Sequence, residues 1–510
     1  MFFIEIVDTT VLTMALLPRK LAIQTACEET MTERGGYMAV IIKTFSTPGG
    51  KYVYDRETHS LLAVSNEEFD ACQRVESNTA NNDDWKLLQR YRDQGYLKES
   101  CLNEIIHPDT KYMPFYLQSG MSSIVMQVTQ NCNLRCSYCA YGGGYGTQRT
   151  HSNKTMSLEL MKKCVDFVMA RSRDVNLISI GFYGGEPLME IGKIKDCVAY
   201  IKDSYRGREV IYTLTTNGTF FSDDTISFLA ENNFNTLISF DGPREWQDKN
   251  RVYPDGRGTF DDILKNVKRI KDCYPQYYNN ISFTTVVAPG TDFSCVNEFY
   301  SSDDIVAGNL ANFNTVRESG ADKSIVYDDF YHATHNYQTM KHLLAAIGLY
   351  DSAKTSKLFE RDMGMIARLY SKLSKSEIQE KAHPGGPCLP GSMRPFVDVD
   401  GRIFPCERVM EGTEAMQIGH IDTGFIMEKI DAMLNVGKLT EAECMACWNF
   451  IECGLCVAAC DDNGQLSGKE RLKYCNGVKN NFIYSLFTIC LLLENEYDFE
   501  KYSKEYLRNL

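Results

Sequence analysis

Cys132-Asn133-Leu134-Arg135-Cys136-Ser137-Tyr138-Cys139 is the stretch on which the reading of this chain turns. It follows Ile124 to Val128, a short apolar run that predicts a buried strand. A cubane iron–sulfur cluster has four irons, and each wants a thiolate or its equivalent. Three cysteines within eight residues can wrap three of those irons and leave the fourth open. A small chelating molecule can then bind the metal directly, as it does at the open position of other catalytic sites. A zinc loop or a set of buried thiols is the competing reading of the same residues.

Outward from that loop the chain alternates strand and helix from Ser122 to about Val316. The predicted strands are Ile124 to Val128, Leu177 to Phe182, Val210 to Leu214, Thr236 to Phe240, Ile281 to Val287 and Ala311 to Val316. Between them lie amphipathic segments. Ser157 is placed to cap one, with Met161, Cys164, Val165 and Val168 on its apolar face. Another is predicted to start at Thr259, with Asp262 in a capping-box position and Ile263, Leu264, Val267 and Ile270 facing inward. Six βα units imply an α/β fold with a parallel sheet, open or curled into a partial (β/α)6 barrel. Active sites of such sheets gather at the carboxyl ends of the strands.

These residues resemble the radical S-adenosylmethionine (SAM) superfamily, whose signature is a Cys-x3-Cys-x2-Cys loop after the first barrel strand. The likeness spans residues 122 to about 316 and continues in further motifs in the right order. Gly184-Gly185-Glu186-Pro187 matches the family's GGEP motif, which receives the SAM amino group on backbone and carboxylate acceptors. By itself that tetrapeptide is a glycine turn with a proline stop. Thr215-Thr216-Asn217-Gly218 matches another common element. Ser239-Phe240-Asp241-Gly242-Pro243, with Asp248 and Arg251 after it, resembles the SxDGP…HDxxR signature of the branch that includes anaerobic sulfatase maturases. There the serine contacts the SAM ribose and the arginine its carboxylate, a pairing that suits the planar guanidinium fork. Gln247 stands where that pattern has histidine. Tyr138 holds the position of an aromatic near the adenine. The resemblance implies a [4Fe–4S] cluster on Cys132, Cys136 and Cys139 that passes one electron to SAM. The 5′-deoxyadenosyl radical so formed abstracts hydrogen from an unactivated carbon, chemistry the cofactor carries while the protein orients and shields it.

Eight of the nineteen cysteines crowd between Cys388 and Cys475. The order Cys388, Gly401-x4-Cys406, Cys444-x2-Cys447-x5-Cys453 and Cys475 resembles a SPASM domain, which binds two auxiliary [4Fe–4S] clusters. The likeness assigns Cys444, Cys447, Cys453 and Cys475 to one, and Cys388 and Cys406 to the other with help from Cys456 or Cys460. A structural zinc site is the alternative that paired Cys-x2-Cys spacing permits. Glu407 occupies the place of a catalytic aspartate in sulfatase maturases and is a general-base candidate, against the reading of a surface carboxylate.

Composition and charge set the frame. Hydrophobic content of 44% and charged content of 24% belong to a globular protein, and 510 residues imply more than one domain. A net charge of -13 argues against nucleic acid, since phosphate binding needs a cationic surface. The longest apolar run, Phe482 to Leu493, falls short of the roughly 18 to 20 residues of a membrane span and reads as a buried helix. The N-terminus has no basic residues ahead of its apolar stretch, a poor secretory signal, and clustered reduced cysteines point to the cytoplasm.

The reading therefore divides the chain into an extension (1–37), a winged-helix-like peptide-recognition domain (38–105), a radical SAM partial barrel (118–320), a helical linker region (321–385), a cysteine-rich SPASM domain (386–480) and a C-terminal helix (481–510). The N-terminal unit is predicted to have strands at Val40 to Phe45, Lys51 to Tyr54 and Ser60 to Val64, then helices at Glu67 to Val75 and Trp85 to Tyr91. It resembles the element that binds leader peptides of ribosomally made, modified peptides, by adding a strand to a sheet edge. With the SPASM likeness this implies a peptide maturase of the ranthipeptide or sactipeptide kind, forming cysteine thioethers on a precursor peptide. An electron donor such as flavodoxin or ferredoxin is implied as a partner. Carbon–carbon crosslinking and oxidation of Cys or Ser to formylglycine are the alternatives. An electron carrier or a zinc-stabilised binding protein is the reading outside SAM chemistry.

Overall fold

The computed structural model describes residues 39–385 and 388–500. The expected extension 1–37 lies outside the described residues. The first described elements are three antiparallel strands, β1 (Ile42–Ser46), β2 (Lys51–Asp55) and β3 (Ser60–Val64). A turn closed by Thr47 N donating to Gly50 O at 3.0 Å joins the first two. Ser65 starts the helix Asn66–Glu76 through a reciprocal capping box with Glu68. The expected helix over Trp85 to Tyr91 divides at Leu88 into Asn82–Leu87 and Gln89–Asp93. Val53, Ala71, Cys72, Val75, Leu88 and Tyr91 form a small core of their own beneath these elements.

The other face of this sheet packs elsewhere. Tyr54 is fully buried, and its ring meets Phe482 edge-on at 5.1 Å. That phenylalanine lies on the helix Cys475–Glu494, so the N-terminal strands sit on the last helix of the chain. A buried helix is what the apolar run Phe482 to Leu493 led one to expect, and no helix among the described residues is long and apolar enough to cross a membrane.

A short strand, β4 (Glu104–Ile105), leads into the main sheet. Six parallel strands follow: β5 (Ser123–Thr129), β6 (Leu177–Gly184), β7 (Glu209–Thr216), β8 (Asn235–Ser239), β9 (Ile281–Val287) and β10 (Ala311–Thr315). Each lies within two residues of its predicted bounds. Every residue of β5 is buried, as a strand covered on both faces must be. Ser157 accepts from Leu160 N at 3.1 Å and caps Leu158–Ala170, whose Met161, Cys164, Val165 and Val168 are fully buried.

The cap expected at Thr259 is built differently. Thr259 starts the helix Phe260–Cys273, but its hydroxyl donates to Arg251 O at 2.8 Å. Asp248 does the capping instead, accepting from Thr259 N at 2.7 Å and Phe260 N at 2.8 Å. Asp262 is used by Tyr253 and Arg257. A carboxylate from the preceding helix reaches the free N–H groups better than the in-line box.

Residues 321–385 are more than a connector. The helix Asp329–Ala346 and the turn Lys357–Phe359 bury Tyr331 and Phe359 in the main core, and the helix Glu360–Lys372 buries Met363 and Ile366 against the helix Cys475–Glu494. Near their end, β11 (Lys381–Ala382) pairs in parallel with β4. Then β12 (Phe396–Val397) adds to the free side of β5, Phe396 opposite Val125, and β13 (Arg402–Phe404), β14 (Gly419–His420) and β15 (Gly424–Phe425) continue outward antiparallel. The sheet thus has ten strands, and the second cysteine region is hydrogen-bonded directly to the strand that carries the first cysteine loop.

His342, on the helix Asp329–Ala346, packs its ring 5.4 Å from that of Phe359, and burial lowers its pKa from 6.5 to about 4. The fold therefore favours the neutral imidazole. Its contribution to stability is complete above pH ~6.5 and is lost as the pH falls toward 4, at about 1.4 kcal/mol per pH unit. Between pH 6.5 and 5 the denaturant midpoint of the natural chain should fall more steeply than that of His342→Leu. Parallel slopes would contradict the assignment.

Candidate active site

The cysteine loop leaves β5 and is clamped by three other segments, two through backbone and one through a side chain. Gly185 N donates to Thr129 O at 2.8 Å and Glu186 N to Asn131 O at 2.9 Å. A Cβ at Gly184 would overlap the Thr129 carbonyl, and one at Gly185 the Asn131 carbonyl, which is why two glycines follow β6. On another side Arg135 N donates to Val252 O at 2.7 Å and Ser137 N to Asn250 O at 2.9 Å. From the end of β7, Asn217 donates to Asn133 Oδ1 at 2.8 Å and reaches Cys132 Sγ at 3.8 Å. The motifs after β6, β7 and β8 thus meet at one loop on the carboxyl ends of the strands.

Glu186 is fully buried. Its carboxylate accepts from Thr216 Oγ1 at 2.7 Å, Asn217 N at 2.7 Å and Leu188 N at 3.0 Å, so it ties the β6 loop to the β7 loop. Burial raises its pKa to about 7 against those hydrogen bonds. Ser239 is the last residue of β8. Two residues on, Asp241 accepts from the Tyr138 hydroxyl and from Val286 N, and pairs with Arg251 Nε at 3.1 Å. Arg251 is 7% exposed and its guanidinium lies 5.4 Å over the Tyr138 ring. Gln247, at the histidine position of the resembling pattern, is buried as a spacer: its Oε1 accepts from Asp241 N at 2.8 Å and its Nε2 donates to Thr259 Oγ1 at 2.7 Å.

Cys132, Cys136 and Cys139 are half-buried and free. Burial pushes the Cys132 thiol up to about 12 and Cys136 up to about 11, while Arg251 pulls Cys136 the other way. Thiolates here need a metal's charge to form. Among the described residues no three Cys, His, Asp or Glu side chains close around a point as a single-ion site requires. A cubane takes one thiolate per iron and so spaces its ligands more widely. The donor set fits such a cluster.

The second region sorts its cysteines by neighbourhood. Cys447 is influenced by Cys444 and Cys453, and Cys475 by the same two. Cys406, which follows β13, is influenced by Cys456. Cys460 is fully buried in the main core, while Cys388 and Cys456 are exposed. Glu407 is not a surface carboxylate. Its side chain is 6% exposed, pairs with Arg394 at 2.7 Å, and leaves Oε2 buried without a hydrogen-bond partner. The spacing of the sequence offers no hint of this, because burial depends on how the chain packs around the residue.

Sequence reasoning also missed a buried polar group beside Cys139. Glu411 accepts from Gln127 Nε2 at 2.7 Å and Arg149 Nε at 2.9 Å, and the Arg149 guanidinium stacks 3.7 Å over Tyr141. Tyr183, at the end of β6, feels Glu407, Cys139 and Glu411 together, so this group lies between the two cysteine regions. A glutamine inside the apolar run of β5 is the one local signal of it. Next to it a cleft of ≈ 260 Å³ opens between Gly146 and Thr147, Gly320, Met410, and Ala459 and Tyr474.

Residues 126–302 match the Radical SAM superfamily. The chain is 33% identical over 162 residues to the cysteine-type anaerobic sulfatase-maturating enzyme of Clostridium novyi, covering 31% of this chain and 42% of that one. It is 30% identical over 163 residues to the serine-type enzyme of Bacteroides thetaiotaomicron, covering 32% and 39%. These alignments span less than half of either relative. Over 382 residues it is 22% identical to the cysteine-type enzyme of Clostridium perfringens, covering 72% and 96%. The solved structure of native anSMEcpe with bound AdoMet shares the fold, with a TM-score of 0.55 at 21% identity over 73% of this chain and 99% of that one.

Proposed function

We propose that this chain, which carries a radical SAM domain, is an enzyme that modifies a ribosomally made precursor peptide by hydrogen abstraction, forming cysteine thioether crosslinks. The observation that carries the reading is the clamping of the Cys132–Cys139 loop by the segments after β6, β7 and β8. Those segments hold the three cysteines and the residues suited to SAM on one rim. When bound, the cluster and SAM supply an electron and a 5′-deoxyadenosyl radical.

The chain's own residues prepare the site. Cys132, Cys136 and Cys139 hold the metal. The backbone around Gly184, Gly185 and Glu186 offers acceptors for an amino group, and Glu186 keeps the β6 and β7 loops in register. Ser239 would hold the ribose of SAM, Tyr138 its adenine, and Arg251, which pairs with Asp241, its carboxylate. Glu407, buried with a free oxygen, takes the proton that a substrate thiol gives up. Cys444, Cys447, Cys453 and Cys475 hold one auxiliary cluster. Cys388 and Cys406 hold the other, with Cys456 favoured over Cys460 by its influence on Cys406. An open iron there would accept a substrate thiolate.

The N-terminal unit supports a peptide substrate. Its strand order β1-β2-β3 leaves β1 and β3 at the edges of the sheet, and an extended leader segment adds to such an edge. The polar group around Arg149 and Glu411, with the neighbouring cleft, receives the segment to be modified. Electrons come from a flavodoxin or ferredoxin, and the setting is the cytoplasm.

Formylglycine formation is the second reading, favoured by the likeness to sulfatase maturases, whereas Gln247 and Glu407, which stand where that pattern has histidine and aspartate, and the N-terminal unit weigh against it. One anaerobic experiment separates the two. The reconstituted enzyme is incubated with SAM, reductant and precursor peptides encoded beside its gene, and the products are analysed by mass spectrometry with and without thiol alkylation. A thioether removes two hydrogens and makes one thiol unreactive to alkylation. Formylglycine from cysteine removes the sulfur, and from serine it leaves every thiol reactive. SAM consumption with none of these peptides changed would count against the peptide reading.

A further inference from the structure

Burying a charge is costly unless an opposite charge lies beside it. Arg471, on the short helix Gly468–Lys473, is fully buried. Its Nη1 donates to Leu455 O at 3.3 Å, its Nη2 reaches Cys453 Sγ at 3.9 Å, and its Nε has no partner. The Cys475 thiol in turn lies 3.9 Å from the Arg471 carbonyl. The acidic groups that act on the guanidinium most strongly are Cys453, Cys460 and Cys444, with no carboxylate ahead of them. Cys460 also neighbours Cys456. Cys475 is its other cysteine neighbour, so one buried cation stands among the sulfurs of the 444/447/453/475 set and Cys460. Neutral thiols cannot compensate it, whereas metal-bound thiolates can.

We propose that Arg471 is the built-in counter-charge of this cysteine region: it holds the sulfurs of the 444/447/453/475 site and raises the reduction potential of the iron–sulfur group bound there. The proposal rests on the reading of these cysteines as cluster ligands. Hydrogen bonds to cluster sulfurs and nearby charge are the levers by which a protein sets such a potential. A buried cation is not screened by solvent, so its effect on an added electron is large. Lys479 also acts on Cys447 and Cys475, but it is only half-buried and serves as the comparison.

The test uses the full chain with Cys132, Cys136 and Cys139 all replaced by alanine, so that bound iron reports on the second region alone. After anaerobic reconstitution, iron is counted and the protein is titrated with dithionite while the reduced signal is followed by electron paramagnetic resonance. Arg471→Gln should move the midpoint negative by at least a tenfold change in the oxidised-to-reduced ratio at fixed potential, ~59 mV for one electron. Arg471→Lys should recover most of that shift, and Lys479→Gln should move it less. If Arg471→Gln loses its iron while Arg471→Lys keeps it, the counter-charge role stands. An unchanged midpoint in Arg471→Gln, or iron lost equally from both variants, would overturn it. A parent chain with no iron and no signal would instead remove the cluster reading itself.

Discussion

Cys136→Ala should abolish release of 5′-deoxyadenosine from SAM while the iron of the second cysteine region stays in place. The residue sits mid-loop, with its backbone neighbours pinned to Asn250 and Val252 and its thiol in the field of Arg251. Cys164 and Cys197, the next cysteines along the chain, are buried in the main core and cannot take its place. A cubane deprived of one of three protein thiolates has two irons to complete and is not retained. Anaerobically reconstituted variant protein should therefore contain about four fewer irons per chain, and chromatography should detect no nucleoside. Cys273→Ala, at an exposed position, should match the natural protein in both assays. Undiminished 5′-deoxyadenosine from Cys136→Ala would remove the basis of the proposed function.

Gly185→Ala should be among the most destabilising single-methyl changes in the chain. The new Cβ would fall on the carbonyl of Asn131 and close to Cys132, and the atoms it meets are backbone held by two hydrogen bonds. Neither side can yield without pulling the cysteine loop off the β6 loop. Overpacking of this kind costs about 3 kcal/mol. Iron retention at the first site should fall with it, since the loop that spaces the three cysteines is what moves. Gly192→Ala provides the contrast. It lies on the helix Ile191–Ser204 with nothing within 4 Å of its added methyl, and removing a helical glycine should be neutral or stabilising by up to about 1 kcal/mol. Urea denaturation of the two variants separates them, and equal midpoints would refute the steric account.

What was readable in the residues was local. The six parallel strands follow from apolar runs whose period depends only on near neighbours. Ser157 announces its helix because a cap and its N–H groups lie within three residues. Other features follow from partners far apart in the chain. Asp248 in place of Asp262 as the cap of Phe260–Cys273 is one case, and the burial of Glu407 beneath Arg394 is another. The pairing of β4 with β11 joins residues almost three hundred positions apart, and β12 completes a sheet begun at β5.

Local pattern was enough for the α/β class, the cysteine loop at a strand end and the order of the motifs after each strand. These are set by hydrophobic period and by spacing, which act over a few residues. It took the packed fold to bring Arg149 to Glu411 beside Cys139 and to enclose Arg471, in a stretch as polar as Gly468-Lys469-Glu470-Arg471-Leu472-Lys473, among sulfurs. The physical reason is that the burial of a charge depends on what the rest of the chain packs around it, and no local pattern records that.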